Sequence, residues 1–240
     1  MKNSPWSPLP EKRPVRAQLD REQIVDAALR IVDAEGVDAV SMRRVAGEFG
    51  TGPSSLYAHV SNKDELLRLM FDRICGEIDL PGHQPDRWRE QIKQLMRDVH
   101  QILMAHNDLA RIALATIPNG PNALLASEWM IALLIKGGVP PRIAAWALDR
   151  VFLYVTTDAY ENSIWRAQLR HLGLPASEVE RQVKAEMEVQ FRDLPADRFP
   201  YLSEHSAAMT SGTAEERFEF GLDLLIDGLD RSVGAAGSPG

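Results

Sequence analysis

The chain has 240 residues, 45% hydrophobic and 25% charged, enough to bury a sizeable core as one large or two small domains. A formal net charge of −7 argues against a protein that holds nucleic acid or anionic membrane by bulk attraction, so any DNA contact must come from a local arrangement of charge. The single cysteine, Cys75, permits no intrachain disulfide and reads as a small core residue; with no apolar leader and no run near the roughly 20 residues of a membrane span, a soluble cytoplasmic protein is expected.

Residues 1–19 carry Pro5, Pro8, Pro10 and Pro14 among Lys12, Arg13 and Arg16, and read as a flexible basic arm. Through residue 21 the arm holds 5 basic and 2 acidic side chains, net +3, and is expected to add phosphate or minor-groove contacts. Asp20 with Gln23 forms a capping box, and Val25, Ala28, Leu29 and Val32 lie on one helical face that Gly36 stops. Ser41 caps a short second helix through Glu48, Gly50 ends it, and Pro53 suits the first position of a third. Asn62 with Glu65 opens a fourth helix over 62–79, with Leu67, Met70, Phe71 and Ile74 on one face. After "DLPGHQPD", helices are predicted near 86–106, 108–116, 121–137, 140–170, 177–193 and 213–231. The boxes Ser177/Glu180 and Thr213/Glu216 start the last two; 194–212 is predicted as a loop and 233–240 as a flexible tail. The chain is therefore predicted to be all-α.

Gly50-Thr51-Gly52 opens a dinucleotide-like G-x-G-x-x-G pattern, but Ser55 stands at the third glycine and a helix, not a strand, precedes it. No Gly-Lys-Ser/Thr follows, so the phosphate-loop reading fails as well. Two short helices around a glycine turn fit a helix-turn-helix whose second helix enters the DNA major groove. "PSSLYAH" places Ser54, Ser55, Tyr57 and His59 where an exposed face can meet phosphates and base edges, with Leu56 and Val60 turned inward. Lys63 opens the next helix, where a cation and free N–H groups can hold a phosphate.

From Gln23 to Asp72, "QIVDAALRIVDAEGVDAVSMRRVAGEFGTGPSSLYAHVSNKDELLRLMFD" resembles the N-terminal domain of the TetR family of bacterial transcriptional regulators. "DRW" at 86–88, "PNGPN" at 118–122 and "FGLD" at 220–223 resemble the branch with the tetracycline repressors. The resemblance implies a helix-turn-helix domain over 20–66 and a ligand-binding and dimerisation domain over 67–232. It implies a homodimeric repressor released from a double-stranded operator by a small apolar or amphipathic effector. Arg43 would face a base, Pro53 and Ser54 would lie on base edges, and Ser55, Tyr57, His59 and Lys63 would hold phosphates, with Ser41 grouped beside them. Met42 replaces a hydroxyl residue, and Gly52 and Pro53 replace longer side chains, so direct base readout is expected to be thin.

In the larger domain, Val151, Tyr154, Val155, Asp158 and Asn162 share one face of the 140–170 helix. Asp158 is compatible with a ligand carboxylate or with a salt bridge at a dimer seam. His100, Met104, Trp129, Leu133, Val151, Tyr154 and Asp158 are the candidate effector residues, their aromatic and Met content suiting an adaptable apolar pocket. Phe218, Leu222, Leu225 and Leu229 form a seam compatible with monomer core or partner surface. By resemblance, the 140–170 and 213–231 helices pack on their symmetry mates as a four-helix bundle. No G-x-S-x-G, H-E-x-x-H or C-x-x-C motif nominates an enzyme, and no histidine pair at i, i+4 suggests a metal; no cofactor is expected. An activator of the same fold, or a helical interaction module, are the alternatives.

Overall fold

The computed structural model describes residues 19–106, 108–172 and 176–234, with side chains accounted for in α7 only as far as Arg166. The predicted arm, save Leu19, and residues 235–240 of the tail lie outside the described residues. Among those described there are helices and no strands.

The head begins with α1 (Arg21–Glu35). Asp20 accepts the Gln23 N–H at 2.8 Å while Gln23 accepts the Asp20 N–H, the capping box predicted. Gly36 ends the helix at φ 87, a conformation that a residue with a Cβ reaches only with strain. Ser41 caps α2 (Met42–Glu48) by accepting the Arg44 N–H. The element after the turn is not the third α-helix predicted but a 3-10 turn, Pro53–Ser55. Its bonds run from Leu56 N–H to the Pro53 carbonyl and from Val60 N–H to that of Leu56. Seven residues rich in serine are too few to propagate a helix, and a 3-10 turn serves such short pieces. Burial of Leu56 (0% exposed) and Val60 (1%) pins the turn to the head core of Ile24, Val45, Leu66 and Met70.

Helix α3 (Lys63–Cys75) ends four residues before the predicted stop, and packs on α1 in the head and on α5 and α6 in the body. Asn62 caps it by accepting the Glu65 N–H at 2.8 Å, but the Glu65 carboxylate reaches the Ser61 N–H rather than that of Asn62. The reciprocal bond is thus displaced by one residue from the predicted box.

The body consists of α4 (Trp88–Ala105), α5 (Leu109–Ala115), α6 (Pro121–Lys136), α7 (Pro141–Leu172), α8 (Ala176–Arg192), α9 (Pro200–Glu204), α10 (Ser206–Thr210) and α11 (Ala214–Asp230). Helices α4, α5, α6 and α11 pack around α7, whose Ala144, Val151, Val155 and Ala159 are buried. Two one-turn helices, α9 and α10, occupy the stretch predicted as a loop and pack mainly on α8. Phe218 and Leu222 of the predicted α11 seam are buried, and Leu225 and Leu229 pack against the same core. That seam is core within the chain. The outer face of α11 instead exposes Phe220 and Leu224, and α7 exposes Ile164 and Trp165.

Candidate functional site

Two adjacent arginines on α2 have opposite fates. Arg44 is ion-paired with Glu35 at 2.7 Å and with Glu48, and those hydrogen bonds raise its pKa. Arg43 is exposed with no partner among the described residues, so its five donors are available to an external acceptor. Beside it the turn presents Ser54, Ser55 and Tyr57 outward, Tyr57 with 53% of its surface exposed, while Pro53 and His59 are half-buried. The Thr51 and Ser55 hydroxyls share a 2.7 Å hydrogen bond, and Arg21 Nε donates to the His59 carbonyl at 3.1 Å. These contacts fix the turn while leaving the aromatic edge free. Lys63 stands in the first turn of α3, where N–H groups without helical partners face the same side. Ser41, by contrast, commits its hydroxyl to the α2 cap.

The opposite end of α3 meets a cavity of about 360 Å³ enclosed by α3, α4, α5, α6 and α7. Phe71, Ile74 and Cys75 of α3 form one wall; Met96, Val99 and Leu103 of α4, Met130 of α6 and Phe152 of α7 form others. Phe71 and Phe152 meet edge to face at 6.1 Å. Burial pushes the Cys75 thiol up to about 12, with the Asp72 charge adding, so it stays protonated and inert. The Ser127 hydroxyl is used within α6, donating to the Ala123 carbonyl at 2.8 Å.

Beside that wall, Asp72 of α3 is buried and accepts the N–H groups of Asn122 and Ala123, each at 3.0 Å, at the start of α6. The helix terminus supplies the partners that a buried carboxylate requires. A Cβ at position 120 would overlap the Asp72 carboxyl, so Gly120 permits this approach. A second bridge joins head and body at the α4–α5 corner: Arg111 donates to Asp38 at 2.9 Å, and Val37 N–H donates to the Asp108 carboxylate at 3.2 Å. His106 Nδ1 lies 3.1 Å from the Asp33 carboxylate. Asp108 reaches Val37 from a left-handed backbone, φ 55.

None of the seven predicted effector residues lines the cavity. His100 Nε2 lies 2.8 Å from Asp158 Oδ2, which also accepts from Asn162 Nδ2 at 3.0 Å. The His100 ring stacks on Phe218 at 4.2 Å. Asp158 is thus paired within the chain, an arrangement that neither the ligand nor the dimer-seam reading anticipated. Tyr154 donates to the Phe218 carbonyl at 2.8 Å, and burial, helped by the Asp158 charge, pushes its hydroxyl up to about 12. Trp129 Nε1 donates to the Pro81 carbonyl at 2.6 Å; Leu133 and Val151 are buried and Met104 packs against the core. The missed wall had one legible signal, the inward α4 stripe Leu95, Met96, Val99 and Leu103. What empties the space is the set Ala113, Ala123, Ala126 and Ala145 facing it from three other helices.

A helix-turn-helix head joined by one helix to an all-helical body with an apolar cavity defines the class: a DNA-binding regulator. Residues 24–70 match the model of the tetR family of bacterial regulatory proteins, and residues 80–233 that of the tetracyclin repressor-like C-terminal domain. ActR of Streptomyces coelicolor, solved in complex with actinorhodin, is 39% identical, with a TM-score of 0.82 over 92% of this chain and all of that one. The transcriptional repressor DrrR1 of Streptomyces coeruleorubidus is 31% identical over 223 residues, 91% of this chain and 81% of its own. An HTH-type transcriptional regulator of Saccharopolyspora erythraea is 30% identical over 226 residues, 94% and 91% respectively. The chain belongs to the tetR family and is a DNA-binding transcriptional regulator, not an enzyme. No described helix is long and apolar enough to cross a membrane.

Proposed function

We propose that the protein is a homodimeric repressor that leaves its operator when a small apolar molecule fills the cavity. The observation that carries this reading is the reach of α3. The helix bears Lys63 beside the recognition turn at one end and Phe71, Ile74 and Cys75 in the cavity wall 8 to 12 residues on. A molecule that moves the wall moves the helix on which the turn is seated. The head boundary near residue 66 falls within α3, so the helix belongs to both proposed domains.

In this reading Arg43 makes the base contact, Pro53 and Ser54 lie on base edges, and Ser55, Tyr57, His59 and Lys63 hold phosphates. Ser41 acts by holding α2 in place. The cavity wall, rather than the His100–Asp158 cluster, takes the effector. The exposed Phe220 and Leu224 of α11, with Ile164 and Trp165 of α7, support dimerisation through these two helices, because apolar side chains gathered on one face gain from a covering surface. A two-fold dimer addresses half-sites about one DNA turn, roughly 34–36 Å, apart. The relatives support the assignment: one is named a repressor and one was solved with a bound small molecule.

A gel shift with the DNA upstream of the protein's own gene tests the reading. A shift at nanomolar to micromolar protein that weakens steeply with salt supports it. Absence of a shift at low salt, or retention of the shift with every compound that binds the cavity, contradicts it.

A further inference from the structure

The cavity wall has an unusual charge inventory. Among its residues there is no Lys, Arg or His, and one carboxylate, Asp149. The remaining polar side chains are Cys75, Thr116 and Ser127; the thiol is held protonated and the Ser127 hydroxyl is already spent on Ala123. Asp149 is exposed, paired at 2.7 Å with the still more exposed Arg150, which is not part of the wall. The carboxylate therefore sits at the mouth, and the interior is Phe71, Phe152, Met96, Met130 and aliphatic side chains.

We infer that the effector is a flat aromatic molecule that is neutral or carries a cationic group, and that Asp149 sets this charge preference. The inference rests on the proposed role of the cavity as the effector site. An anion entering this space would lose its hydration and find no cation or spare donor in the interior, with a negative charge at the door. A cation on one end of the molecule stays at the mouth, near Asp149 and still hydrated, while the ring system enters. The edge-to-face phenyl pair and the two thioethers suit a planar ring system, because both present polarizable surface that adapts to it. The volume, about 360 Å³, lies at the small end of ligand pockets and suits two or three fused rings.

Three probes that share one ring system separate the charges: 9-(aminomethyl)anthracene, 9-anthracenemethanol and 9-anthracenecarboxylate. Their affinities for the full chain are read by fluorescence titration and by thermal shift. The amine and the alcohol are expected to bind, with the carboxylate at least about tenfold weaker than the amine. Asp149→Asn is expected to bring amine and carboxylate within about threefold of each other, leaving the alcohol unchanged, and to free Arg150 for the anion. Asp149→Lys is expected to reverse the order. Both positions are exposed, so folding is not at risk. Carboxylate binding as tight as the amine, an unchanged ratio in Asp149→Asn, or no binding by any probe overturns the inference. Operator binding is measured separately on the same samples. Loss of the DNA shift with the charge ranking intact would overturn the repressor reading and leave this one standing.

Discussion

Arg43 and Arg44 are neighbours on one short helix, and their substitution separates a reading residue from a holding one. Arg43→Ala is expected to weaken operator binding by about 1–3 kcal/mol, roughly 5- to 150-fold, with the melting temperature unchanged. Arg44→Ala, which leaves Glu35 and Glu48 without their cation, is expected to lower the melting temperature and to weaken DNA binding only through the loosened head. Fluorescence anisotropy with labelled operator, beside a thermal melt, checks both; equal effects on DNA binding would count against Arg43. Arg97 and Glu219 form a bidentate pair between α4 and α11, at 2.6 and 2.7 Å. The Arg97 hydrogen bonds hold the Glu219 carboxyl below its usual range, against a smaller opposing effect of burial. A carboxylate with a depressed folded pKa adds stability above its unfolded pKa, about 4.3, and loses it as pH falls through the folded value. Arg97→Met is therefore expected to cost about 0.5–1 kcal/mol at pH 7, with the deficit closing below about pH 4 in urea melts. A deficit as large at pH 3 as at pH 7 would rule out this pair as the source. Residue identities and capping pairs of short range were legible in the sequence; the 58-residue reach from His100 to Asp158 was not, because nothing local pairs them.

At the scale of elements, α3 is fastened to the body at two points. Asp72→Ala removes the acceptor for two N–H groups at the α6 terminus and is expected to cost about 2–3 kcal/mol in chemical denaturation. A cost below about 0.5 kcal/mol would show that the buried bridge holds nothing. The Arg111–Asp38 bridge is largely exposed, so its removal should barely change stability. Arg111→Ala is expected to leave operator and effector affinities within about threefold while reducing effector-driven release by a coupling of roughly 0.5–2 kcal/mol. Release as complete as in the unmodified protein would remove this bridge from the relay. The long helices were readable because a 3.6-residue stripe repeated over many turns outweighs local noise. The recognition element was misread as a helix because its apolar pair Leu56 and Val60 has helical spacing, whereas the span is too short to propagate one. The turns α9 and α10 were missed for a related reason: five residues each carry too few periods to register.

For the whole molecule, the all-α architecture and the family were visible in the sequence, and the cavity was not. Periodicity says which face of a helix turns inward; it does not say which five faces meet, or that small residues meet small ones there. A molecule in the cavity changes operator affinity only if the DNA-competent and DNA-free forms bind it differently, and the same factor must then appear in both directions. The most direct measurement takes compounds that raise the melting temperature of the full chain and lose that effect in the cavity-filling variant Ala126→Phe. For each, operator affinity is titrated with and without compound, and compound affinity with and without operator. Operator affinity falling at least about tenfold, with compound affinity reduced by the same factor on DNA, is expected. A compound seated in the cavity while the operator is held with undiminished affinity would contradict the link through α3.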